Sequence, residues 1–194
     1  MAGLADEVVA AHPGPLHLIG VSMGGMVALN AALRHPDRVV SVLVACTGAS
    51  ASPEVMEQRA VAVETGGMAA VLDDTLSRWF TPAALAAAPE HPGVAYARQL
   101  LLGLDASAFA AGWRAIATHD TASRLGELDM PVTAVAGGQD RASPASRSEE
   151  IAARAPHGRM VVVDDAPHMI QLERPDAMGE LIADHLAWAS EQPG

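Results

Sequence analysis

Leu16-His17-Leu18-Ile19-Gly20-Val21-Ser22-Met23-Gly24-Gly25 decides the reading of this 194-residue chain. An apolar run rises into Gly-x-Ser-x-Gly, and Met26, Val27, Leu29, Ala32 and Leu33 follow at helical spacing. The pattern predicts a strand over 16–21, a sharp turn with Ser22 at its apex, and a helix over 24–35 stopped by His35-Pro36-Asp37. A serine at such a turn has a strained backbone, so the residues two before and two after it are expected to be small. Its hydroxyl then stands above the sheet. The backbone N–H of Met23, at the helix N-terminus, points to where a carbonyl oxygen would become negative. Two glycines and a serine recur by chance; the flanking strand and helix make the pentapeptide informative.

Outward from that turn, strand and helix patterns alternate. Val39–Ala45 is a nearly continuous apolar run, as a strand covered on both faces requires, and 131–136 and 160–163 read the same way. A short helix over 3–11 ends before Pro13-Gly14-Pro15, and further helices are predicted at 144–154 and 174–190. This alternation implies an α/β fold with a mostly parallel sheet flanked by helices. Residues 50–120 hold no convincing strand. They are rich in Ala and Leu and broken at Gly66-Gly67, Thr81-Pro82 and 89–93. The expected organisation is a core of 1–49 and 120–194, with a helical lid of four or five short helices over 50–119.

Composition narrows the chemistry. Half of the chain is hydrophobic but only 3% is aromatic, so the core must be aliphatic. A net charge of −11 argues against nucleic acid and anionic membrane surfaces, which need clustered Lys and Arg. Cys46 is the only cysteine, which rules out an internal disulfide and favours a cytoplasmic setting; its expected role is that of a small buried hydrophobe. No basic leader or membrane-length apolar run is visible. His-Glu-x-x-His and paired Cys/His spacings are absent, as are Gly-x-Gly-x-x-Gly and phosphate loops, so neither a metal nor a nucleotide cofactor is expected.

A serine hydroxyl becomes a useful nucleophile when a base takes its proton and a carboxylate orients that base. Gly137-Gly138-Gln139-Asp140 follows strand 131–136, and Asp164-Asp165-Ala166-Pro167-His168 follows strand 160–163. In a parallel sheet these loops gather on the edge that carries the serine turn. Ser22, Asp140 and His168 are therefore the expected nucleophile, acid and base. Asp164 and Asp165 are alternatives to Asp140, but both precede His168 too closely to orient it easily. Of the other histidines, His12, His35, His91 and His157 adjoin turn residues, His185 lies in the last helix, and His119 is a weak competitor.

These residues resemble the α/β-hydrolase family. The matching blocks are HLIGVSMGGMVAL, HPDRVVSVLVACT, MPVTAVAGGQDRASP and DDAPHMIQLERPD. Within the family, AVETGGMAAVLDDTLSRWFTP (62–82) is similar to the insertion of 3-oxoadipate enol-lactonase-type hydrolases. The resemblance implies a cofactor-free serine hydrolase acting on a small ester or lactone, in bacterial-type aromatic breakdown. Met23 would supply an oxyanion N–H, and Trp79 either substrate contact or lid packing. Family members carry further strands before the serine turn, with a loop donating a second oxyanion N–H. By that comparison the chain is a truncated α/β-hydrolase. Strand 16–21 is then expected at a sheet edge open to homo-oligomer formation, and activity is expected to be weakened. The alternatives are a carboxylesterase, an acyl transferase, a cofactor-free perhydrolase or a non-catalytic fragment.

Overall fold

A computed structural model describes residues 1–192. Its element order is α1 (Ala2–Ala11), β1 (Leu16–Val21), α2 (Met23–Arg34), β2 (Val39–Ala45), α3 (Pro53–Trp79), α4 (Pro82–Leu85), α5 (Pro92–Gly103) and α6 (Ala106–Ala117). A 3-10 turn (Ala122–Glu127) leads to β3 (Val132–Gly137), α7 (Ala145–Arg154), β4 (Gly158–Val163), α8 (Ile170–Glu173) and α9 (Pro175–Glu191). The four strands form one sheet in the order β1-β2-β3-β4, and every pairing is parallel. All four carboxyl ends, and the loops that follow them, therefore share one rim.

The apolar run of β2 does what two-sided burial demands. Val42 and Val44 face α2 and α7, packing with Leu29, Val132, Ala134 and Ile151. Leu43 and Ala45 face the other way, against Val135, Ile170, Met178 and Leu181. One polar row interrupts the second face. The Ser41 hydroxyl bonds His17 Nδ1 at 2.7 Å and His185 Nε2 at 2.8 Å, and Thr133 bonds His185 Nδ1 at 2.8 Å. Arg159 joins the row by donating to Thr133 and Asp184. This chain touches all four strands and pins α9 across them.

The segment between β2 and β3 is helical, with only an isolated bridge between Ser50 and Asp120. Its helices bury a cluster of their own, including Val63, Leu76, Phe80 and Leu101. The break read at Gly66-Gly67 is a kink inside α3, where Gly67 has φ 73° and ψ 175°. The breaks at 81–82 and 89–93 separate α3, α4 and α5; Ser52, Thr81, His91 and Asp105 each cap the helix that follows. Buried Glu173 ties this layer to α8: its carboxylate accepts from the Thr81 N–H at 3.0 Å and the Thr81 hydroxyl at 2.5 Å. Among the described residues, no single helix is long and apolar enough to cross a membrane.

Candidate active site

The turn after β1 owes its shape to close backbone approach. Ser22 sits at φ 53°, in the left-handed region that an L-residue enters at a cost, and its N–H and C=O are tied down by Ala45 O and the Thr47 hydroxyl. A Cβ on Gly20 would lie 2.3 Å from the carbonyl oxygen of Gly24, so position 20 must be glycine. The matching expectation for Gly24 does not hold. Nothing lies within 4 Å of a Cβ there, because that position faces outward on the first turn of α2. The second crowded position is Gly25, whose Cβ would meet Thr47 at 2.8 Å.

The loops after β3 and β4 are packed backbone to backbone. A Cβ on Gly137 or Gly138 would come within 2.5 Å of Ala166 O or 2.4 Å of Asp164 O. The Gly-Gly pair thus lets the loop bearing Asp140 touch the loop bearing His168. Asp140 Oδ1 accepts from the N–H groups of Ala142 and Ser143 at 2.7 and 2.9 Å, which fixes the carboxylate plane. Its Oδ2 lies 2.9 Å from His168 Nδ1, and His168 Nε2 lies 2.9 Å from Ser22 Oγ. The carboxylate is fully buried and the imidazole only 6% exposed. With Nδ1 protonated, the ring donates to Asp140 and receives the serine hydroxyl's hydrogen bond. A hydroxyl, an imidazole and a buried carboxylate in this order can activate an oxygen nucleophile.

The competing residues are occupied elsewhere. Asp165 pairs with Arg174 at 2.9 Å, and Asp164 is exposed, with its backbone against Gly138. His119 bonds Asn30 and the Gly48 carbonyl, and His185 belongs to the polar row under α9. Cys46 directly follows β2, buried and at φ 53°, with its thiol 3.6 Å from Pro167 O. Burial, reinforced by the negative charge of Asp140, pushes that thiol well above its ordinary pKa. Donor atoms of Cys46, Asp140 and His168 lie within 4.8 Å of one another. They make a poor metal site. The thiol is held protonated, and the other two groups already share a hydrogen bond.

Ser22 and His168 open into a cavity of about 460 Å³ between the sheet rim and the helices of 53–117. Met23 contributes its side chain to the wall, and its N–H, in the first turn of α2, has no intrahelical acceptor. Trp79 lines the cavity and also packs against the helical cluster. Arg59, Phe109, Trp113, Ser143 and Arg147 also line the wall. Sequence reasoning missed these five. They come from α3, α6, α7 and the Asp140 loop, and no linear motif announces that the topology brings them together.

Comparisons with known proteins agree with this architecture. Residues 10–175 match the family model described as the alpha/beta hydrolase fold. The chain is 27% identical over 164 residues to 3-oxoadipate enol-lactonase 2 of Acinetobacter baylyi, covering 84% of this chain and 60% of that protein. It is 28% identical over 198 residues to a pimeloyl-[acyl-carrier protein] methyl ester esterase of Neisseria meningitidis, covering 97% and 62%. The crystal structure of the enol-lactonase from Burkholderia xenovorans LB400 superposes with a TM-score of 0.84 at 31% identity, covering 90% of this chain and 66% of that one. The chain thus spans about three fifths of the length of these two curated relatives. From its sheet, its serine turn and a model match over most of its length, the chain belongs to the alpha/beta hydrolase fold family.

Proposed function

We propose that this chain is a serine hydrolase that opens a small lactone or ester through an acyl-enzyme intermediate. One observation carries the reading: Ser22 Oγ, the His168 ring and the Asp140 carboxylate form an unbroken hydrogen-bond line at the mouth of the cavity. Ser22 Oγ attacks the substrate carbonyl carbon while His168 Nε2 takes the hydroxyl proton. The Met23 N–H faces the oxygen that becomes negative. Collapse of the tetrahedral intermediate breaks the bond to the leaving oxygen, which takes the proton from the imidazolium. Water then attacks the acyl-serine, again losing a proton to His168, and the carboxylic acid departs with Ser22 restored. In a lactone the leaving oxygen stays tethered, so one hydroxy- or keto-acid is the whole product. Neither half-reaction requires a cofactor.

A second reading, hydrolysis of acyclic methyl esters, is favoured by the esterase named among the relatives. Turnover of five- and six-membered lactones, enol-lactones and methyl esters by the purified chain separates the two. Hydrolysis is expected to fall by ~10³ or more in Ser22→Ala. Turnover surviving in that variant rules out the reading altogether.

A further inference from the structure

The cavity beside Ser22 carries a charge that the rest of the molecule does not. The chain has 23 acidic residues against 12 basic ones, and every basic one is an arginine. Most of those arginines sit in surface ion pairs, such as Arg34 with Asp6 and Arg114 with Glu57 and Glu64. Four, Arg38, Arg59, Arg141 and Arg147, form no ion pair among the described residues. Of these, only Arg59 and Arg147 line the cavity, and no Asp or Glu shares its wall.

Each of the two is held by something other than an acid. The Arg59 guanidinium carbon lies 4.8 Å from the centroid of the Trp113 ring, and Phe109 supports Trp113 edge-on at 5.7 Å. Arg147 lies across Gly48, where an added Cβ would stand 3.0 Å from its Cδ, and donates to the Ser50 carbonyl at 3.2 Å. Both side chains are half-buried. Burial lowers the pKa of Arg59, and the charges of Arg78 and Arg147 add to that, while Asp74 opposes it. The two cavity cations therefore repel, and neither is in contact with a carboxylate among the described residues. A solvated surface arginine has no such cost; a half-buried pair facing a largely apolar cavity does.

We propose that Arg59 and Arg147 form an anion clamp that selects acyl substrates bearing a second, free carboxylate. Planar guanidinium groups recognise carboxylates through paired N–H donors. The remaining wall, including Met23, Trp79 and Phe109, suits a short aliphatic chain between the two carbonyl ends. The clamp also offsets, locally, the repulsion that a net charge of −11 imposes on an anionic substrate. Its use in turnover rests on the proposed role of Ser22; its binding of a carboxylate does not.

The test has a binding arm and a turnover arm. Calorimetry on Ser22→Ala with glutarate is expected to detect binding that weakens roughly tenfold or more when Arg59→Gln or Arg147→Gln is added. Inorganic phosphate, run alongside, is expected to bind less well. No binding of glutarate, binding indifferent to both arginines, or tighter binding of phosphate overturns the proposal, whatever the enzyme's activity. In turnover, monomethyl glutarate is compared with methyl valerate, which replaces the carboxylic acid with a methyl group. The ratio of kcat/KM values is expected to favour the acid in the unmutated chain, and to drop roughly tenfold or more in each arginine variant. A ratio at or below one in the unmutated chain contradicts the clamp without recourse to any variant. Failure of both esters alongside arginine-dependent glutarate binding instead counts against the hydrolase reading and leaves the clamp standing.

Discussion

Ser22, Asp140 and His168 were legible because each sits at a fixed offset from a strand that hydrophobic pattern alone locates. The parallel order then leaves their loops one rim on which to meet. The geometry also explains which glycines matter. Gly20→Ala places a Cβ against the Gly24 carbonyl and is expected to destabilise the chain by about 2 kcal/mol or more. Gly24→Ala meets nothing and is expected to shift the thermal midpoint little. Paired melting curves check this contrast, and equal losses in the two variants would contradict it. Arg59 and Arg147 were not legible, since an arginine on a helix carries no sign of facing a cavity until the fold closes around it.

At the scale of elements, all four strands and the long flanking helices follow from period and punctuation, whereas the four-residue α8 does not. Val39–Ala45 coincides with β2 because apolar residues stand at both of its ends and Ser41 is the one polar residue within it. The helical segment between β2 and β3 was legible in kind but less so in detail, because alanine abundance weakens the amphipathic signal and Gly67 kinks a helix without ending it. Tertiary polar contacts there were invisible in the sequence. The Glu173 carboxylate, buried against Thr81, joins α8 to the start of α4. Glu173→Ala strands the Thr81 donors in an apolar setting and is expected to cost about 2–4 kcal/mol by urea denaturation. A loss below about 0.5 kcal/mol would mean that this contact does not hold the helical layer to the core.

For the whole molecule, the polar row under α9 makes stability depend on pH. Burial, with the positive charge of Arg159 beside it, depresses the pKa of His185 from 6.5 to about 4, despite the opposing pull of Asp184. The unfolded chain therefore binds a proton that the folded chain refuses between those values. Stability contributed by the neutral ring is fully present above pH 6.5 and is lost progressively as pH falls towards 4. Urea midpoints measured from pH 7 down to 4.5 are expected to fall, and His185→Gln, which has no such proton to refuse, is expected to flatten the slope. A slope unchanged in that variant would assign the acid sensitivity to other groups. A histidine in the last helix gave no hint of this role, because only the sheet's register aligns it with Ser41 and Thr133. The central claim concerns the nucleophile, and active-site labelling with a fluorophosphonate followed by peptide mass mapping tests it most directly. A single adduct on the peptide containing Ser22, lost in His168→Ala, is the expected result; an unlabelled Ser22, or labelling indifferent to His168, would contradict it.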